Sequence, residues 1–241
     1  MSDPAEQVVT RVQHEHPDVT GGWLRPAVFG AMDGLVSNFA LIAGVVGGTS
    51  GDDSQLVVLA GLAGLAAGAF SMGAGEYTSV ASQSEFAQAQ IDIERGEIAR
   101  NQSAEMAELA AMYVAKGLTP DLASQVAAQV HSDLDNAVRV HAREEFGVDA
   151  RDLASPMLAA ASSFLAFAVG ALVPVLPYLL GASTLLPAVV LSLVGMFVCG
   201  AVVTTVTYRT WWYGGIRQLV LGGAAAALTY LVGSLVGVTL A

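Results

Sequence analysis

Asp33, Met72 and Glu76 stand inside otherwise apolar stretches, "FGAMDGLVSNFALIAGVVGG" (29–48) and "LAGLAAGAFSMGAGEYTSVASQSE" (62–85). An ionised carboxylate in hydrocarbon costs about 2.5–3.5 kcal/mol on insertion scales, so such groups face a polar pathway or a partner. Asp33 lies eight residues after Arg25, about 12 Å along a helix. No Lys or Arg stands at that depth in any apolar tract, which leaves a proton or a bound cation as its partner. Gly64, Gly68, Met72 and Glu76 recur every four residues and form one slowly drifting helical stripe. A thioether beside carboxylates suits first-row metals such as Fe(II) better than Mg or Ca. A methionine on a membrane helix is ordinarily packing, and a lone aspartate is sometimes structural; two intramembrane carboxylates weigh against that reading here.

A second group lies in "FAQAQIDIERGEIARNQSAEMAELAAMYVAKG". Glu94, Glu97, Glu105 and Glu108 are separated by 3, 8 and 3 residues. On an uninterrupted helix they fall within an arc of about 80°, with Asn101 among them. Alternatively "NQS" followed by "AEMAE" starts a new helix at Ser103, and the two Glu-x-x-Glu pairs face each other across a hairpin. A third helix, "LASQVAAQVHSDLDNAVRVHAREEF", follows Pro120 and sets His141 and Glu145 four residues apart on one face. Glutamate stripes usually mark a solvated surface. Against that, few of these have a basic residue at i+4, and residues 85–152 carry 13 Asp and Glu against six Lys and Arg. Clustered glutamates with a nearby histidine bind divalent cations.

The elements that must position these groups follow from composition. Of 241 residues, 54% are hydrophobic and 13% charged, with mean hydropathy +0.58, where soluble domains carry about a quarter charged. The charges cluster between 85 and 152, so the chain reads as a membrane bundle with one soluble insert. Five tracts reach the ~20 apolar residues a crossing needs: roughly 27–48, 55–80, 157–180, 184–207 and 216–240. The expected fold class is therefore all-α, with five membrane helices and a three-helix insert between the second and third. The divisions are 1–25 as an N-terminal segment, 26–84 as the first two spans, 85–153 as a metal-binding helical domain and 154–241 as the last three spans.

All ten basic residues then fall on one side: Arg11 and Arg25, six in the insert, and Arg209 with Arg217. The other side receives Asp52 and Asp53. By the positive-inside rule the N-terminus and insert are cytoplasmic and the C-terminus is outside. Trp23, Trp211, Trp212 and Tyr213 sit where an interfacial aromatic belt belongs. The net charge of -11 argues against nucleic acid and favours cations. Cys199, the single cysteine, cannot form an internal disulfide. The first twenty residues lack a signal-peptide core.

These motifs resemble the vacuolar iron transporters and their bacterial relatives. The likeness rests on "MDGLVSNFALIAGV", "GAFSMGAGEYTSVASQSE", the Glu-x-x-Glu pairs and "GALVPVLPYLL". It implies a homodimer of five-span protomers that exports Fe(II), and often Mn(II), from the cytosol in exchange for protons, with a three-helix cytoplasmic domain capturing metal. By motif, Asp33 and Met72 match the family's pore acid and methionine. Glu94, Glu97, Glu105 and Glu108 match its metal-binding glutamates, and Glu145 matches a third-helix glutamate. Plant-type members carry a pore glutamate where this chain has Gly64 and a glycine where it has Glu76, so Glu76 is expected to serve as the second pore carboxylate. His141 and Ala142 replace the family's third-helix methionines; an imidazole there suits Fe(II) or Zn(II).

The expectation is a proton-coupled metal(II) exporter, not an enzyme, with no resident cofactor; Fe(II), Mn(II), Zn(II) and Co(II) are cargo or bound ions. A membrane-anchored metal-binding or sensing protein is the alternative. A di-iron oxidase would need Glu-x-x-His pairs, and none occurs. A primary pump would need a phosphate-binding Gly-x-x-x-x-Gly-Lys-Ser/Thr loop, also absent. The Ala, Val and Gly richness with a single lysine points to a GC-rich bacterium and its plasma membrane.

Overall fold

A computed structural model describes residues 22–49, 53–207 and 209–240. The expectations for Arg11, Asp52 and the first twenty residues lie outside these. The described residues form eight helices and no strand: α1 Leu24–Gly48, α2 Ser54–Arg100, α3 Gln102–Ala115, α4 Pro120–Val130, α5 Leu134–Glu145, α6 Pro156–Leu179, α7 Leu186–Thr207 and α8 Trp211–Leu240. Five of them, α1, α2, α6, α7 and α8, are long and apolar enough to cross a membrane. The last starts five residues before the tract read from hydropathy, so Trp211, Trp212 and Tyr213 open the helix and are exposed.

The largest difference from the sequence reading is α2, which runs 47 residues without interruption. Asp53 starts it by accepting a hydrogen bond from Leu56 N at 3.1 Å, and no proline follows to break it. Its apolar part ends near residue 80, and the polar remainder continues the same helix. Backbone hydrogen bonding is indifferent to that change in composition. The helix stops at Asn101, whose φ of -145° leaves the helical region. The Asn101 side chain then caps α3 by accepting from Ala104 N. The hairpin reading therefore holds, with Asn101 as cap in place of Ser103. The expected third insert helix is split into α4 and α5, because Asp133 diverts the backbone and caps a new helix through Asn136 N at 2.7 Å.

α6 packs against both α1 and α2, while α8 packs against α1 and α7. Small residues allow these approaches. A Cβ on Gly30 would stand 2.5 Å from Ser163 O, and one on Gly34 would collide with Phe167 O, so the α1 and α6 backbones touch. Leu35, Phe39 and Ala43 of α1 bury against Met196 and Ala226, and Ile42 against Val57, Val175, Tyr178 and Ala188. The end of α2 with α3, α4 and α5 forms a polar head with a small core of its own: Ile91, Ile98, Ala137, Val138 and Ala142. Arg95 pairs with Asp135 at 2.7 Å, and Lys116 with Glu144, on its surface.

Candidate metal sites

The first site lies in the head. Apolar residues on one face of α2 and α5 draw the two helices together, and this carries Glu94 and His141 inward; they are 3% and 0% exposed. His141 Nδ1 is 2.8 Å from Glu145 Oε1, one helical turn on, and 2.9 Å from Glu94 Oε1. That nitrogen is hydrogen-bonded with Glu145, and Glu94 Oε1 is buried without a hydrogen-bond partner of its own. Glu105, from the facing helix α3, has a carboxylate oxygen within 4.8 Å of ligand atoms of both Glu94 and His141. Glu97 and Glu108 are exposed at the rim.

These groups lie beyond the apolar part of α2, and their acidities reflect crowding. Burial, then the neighbouring Glu145, pushes the Glu94 carboxyl up to about 7, with His141 opposing and Glu105 and Glu97 adding. Burial likewise pushes Glu145 up to about 7, reinforced by Glu108, Glu105 and Glu97. Carboxylates that repel one another around a buried imidazole accept a divalent cation in place of protons.

His131 was not anticipated. It is 4% exposed, its Nδ1 donates to Ala127 O at 2.8 Å, and its ring meets that of His141 edge to face at 5.1 Å. The Nε2 atoms of both histidines are buried without a partner.

The second site lies in the bundle. Asp33, Ser37, Asn38 and Leu41 of α1, Gly64, Gly68, Ser71 and Met72 of α2, and Phe167 of α6 line a cavity of about 300 Å³. Asp33 and Met72, from two different helices, both line this cavity, and Met72 also packs against the cluster around Phe167. Glu76 is not among the lining residues; it is half-buried one turn beyond Met72. Ser37 and Asn38 within the apolar run of α1, with Ser71 of α2, are polar lining residues that sequence reasoning missed. The available signal was a Ser-Asn pair inside an otherwise apolar run.

A family model described as the VIT family matches residues 24–234. The chain belongs to the VIT family. Among its relatives, a vacuolar iron transporter of Acanthamoeba castellanii is 35% identical over 222 residues, 88% of this chain and 80% of the relative. Vacuolar iron transporter 1 of Oryza sativa subsp. japonica is 29% identical over 232 residues, 94% and 91% of the two chains. Vacuolar iron transporter 1 of Arabidopsis thaliana is 29% identical over 201 residues, 82% and 80%. With its apolar helices, this VIT family member is a multi-pass membrane protein.

Proposed function

We propose that this VIT family member is a transporter that carries divalent first-row metal ions, Fe(II) foremost and Mn(II) with it, across a membrane in exchange for protons. The observation that carries the reading is that one unbroken helix, α2, contributes Glu94 to the head cluster and Met72 to the Asp33 cavity. The relatives' names support iron as cargo.

In the proposed cycle Glu94, Glu97, Glu105, Glu108, Glu145 and His141 collect the ion from solvent. It then passes Glu76 and reaches Met72 and Asp33, where carboxylate protonation alternates with metal binding. The distribution of basic residues supports a cytoplasmic head and N-terminus, hence export, and the Ala, Val and Gly richness with a single lysine supports a bacterial plasma membrane. Ser37 and Ser71 are exposed beside the cavity, and small polar residues of this kind favour helix–helix contact over lipid. A second protomer against α1 and α2 would cover them, which supports a homodimer.

The test uses sealed proteoliposomes holding a metal-quenched dye, with Fe(II) or Mn(II) added outside, with and without a pH gradient. Quenching that needs the gradient and vanishes in Asp33→Asn supports the reading. Absence of uptake by wild type, with metal still bound by the head, would favour the anchored metal-binding protein.

A further inference from the structure

We infer that the amide oxygen of Asn38 is an inner, uncharged ligand for a divalent cation in the bundle cavity, beyond the level of Asp33 and Met72. The choice of cation rests on the transport reading, whereas the placement rests on hydrogen bonding alone. Asn38 is 2% exposed. Both protons of its Nδ2 are engaged, one with Gly61 O at 3.1 Å and one with Ala171 O at 2.6 Å. This fixes which end of the amide is which, because the flipped group would set its oxygen against two carbonyl oxygens.

Oδ1 is therefore turned away from those carbonyls, buried and without a hydrogen-bond partner. It faces Gly64, which lines the same cavity. A Cβ at Gly64 would lie 2.8 Å from Oδ1 and 2.5 Å from Leu41 Cδ2. The missing side chain at position 64 leaves the oxygen facing a backbone position with no atoms to crowd it. Asn38 stands five residues beyond Asp33 on α1, about 7.5 Å further along the axis. Gly64 stands eight residues from Met72 on α2, so the cavity has two levels. The outer one offers carboxylate and thioether, and the inner one offers a neutral oxygen acceptable to Fe(II) or Mn(II). A role as a clamp between helices explains the two Nδ2 bonds but leaves the bare oxygen without a reason.

The experiment measures Mn(II) binding, by the electron paramagnetic resonance signal of free ion, to the full chain in detergent. Glu94, Glu97, Glu105, Glu108, His141 and Glu145 are replaced by Ala so that the bundle is read alone. Gly64→Ala sets a methyl against Oδ1 and Leu41 Cδ2 while keeping the amide in the chain, and Asn38→Leu removes it. Each is expected to weaken Mn(II) binding about tenfold. Retention of binding within about twofold in Gly64→Ala, with the chain eluting as one helical species, would overturn the inference and leave the amide a clamp. No Mn(II) bound by the parent would overturn it as well. If Asn38→Leu fails to fold, Gly64→Ala decides. Amide-dependent binding in a chain whose wild type moves no metal would defeat the transport reading and leave this one standing.

Discussion

His141 Nδ1 lies 2.9 Å from Glu94 Oε1, and this approach joins the far end of α2 to α5 inside the head. Both residues are buried, and the same nitrogen serves Glu145 at 2.8 Å. One imidazole therefore organises two carboxylates that would otherwise repel each other in a site shielded from water. Removing it should be felt in metal binding before it is felt in folding.

His141→Ala is expected to lower the head's affinity for Mn(II) or Co(II) by about ten- to a hundredfold, measured by titration calorimetry on the full chain in detergent. An affinity within twofold of wild type would show that the imidazole is no part of the site.

The head should respond to pH with a definite sign. Free carboxyl groups ionise near pH ~4.3, whereas Glu94 and Glu145 hold their protons to about 7 in the folded protein. Between those values the folded state binds more protons than the unfolded one, so metal-free stability falls as pH rises through that window. Metal competes with the same protons, so affinity climbs over the same range. Melting scans at pH 5 and pH 8 should show metal raising Tm far more at pH 8. Glu94→Gln should raise metal-free stability at pH 8 by on the order of 1 kcal/mol, read as a higher Tm, and blunt the metal response.

Close contact between α1 and α6 leaves no room for a side chain at Gly34. Gly34→Val is expected to destabilise the bundle by about 1–3 kcal/mol or more, read as a lower Tm in detergent, while leaving metal binding by the head intact. A normal melting curve would mean the helices separate at little cost.

Glu76 is separated from the cavity that Asp33 and Met72 share. Glu76→Gln should therefore slow uptake while leaving Mn(II) binding in the bundle within about twofold of wild type. Loss of bundle binding in that variant would return Glu76 to the role of second pore carboxylate.

The five apolar helices were legible in sequence because a hydrocarbon layer imposes a minimum length of greasy chain. The insert was only partly legible. A change of composition near residue 85 reads as a boundary, yet α2 crosses it because nothing there disturbs the backbone. The Glu-x-x-Glu pairs admitted two geometries, and one dihedral at Asn101 separates them. Their four glutamates looked equivalent, but Glu94 is buried while Glu97 and Glu108 are exposed, since burial depends on which face α5 covers. Asn38 and His131 escaped notice for a related reason. Each is a polar residue whose interest lies in one unpaired atom, and pairing is decided by carbonyls far away in sequence or hidden at a helix end.

The unbroken course of α2 has a mechanical consequence. α2 contains no proline and runs as one continuous helix, so its two ends move together wherever its glycines do not kink it. Met72 and Glu94 are 22 residues apart, about 33 Å along the rod. A tilt of ~10° about the head would sweep the level of Met72 sideways by ~6 Å. Any force that reorients the head on taking up charge is thus delivered to the membrane interior with leverage, without a relay of intermediate contacts.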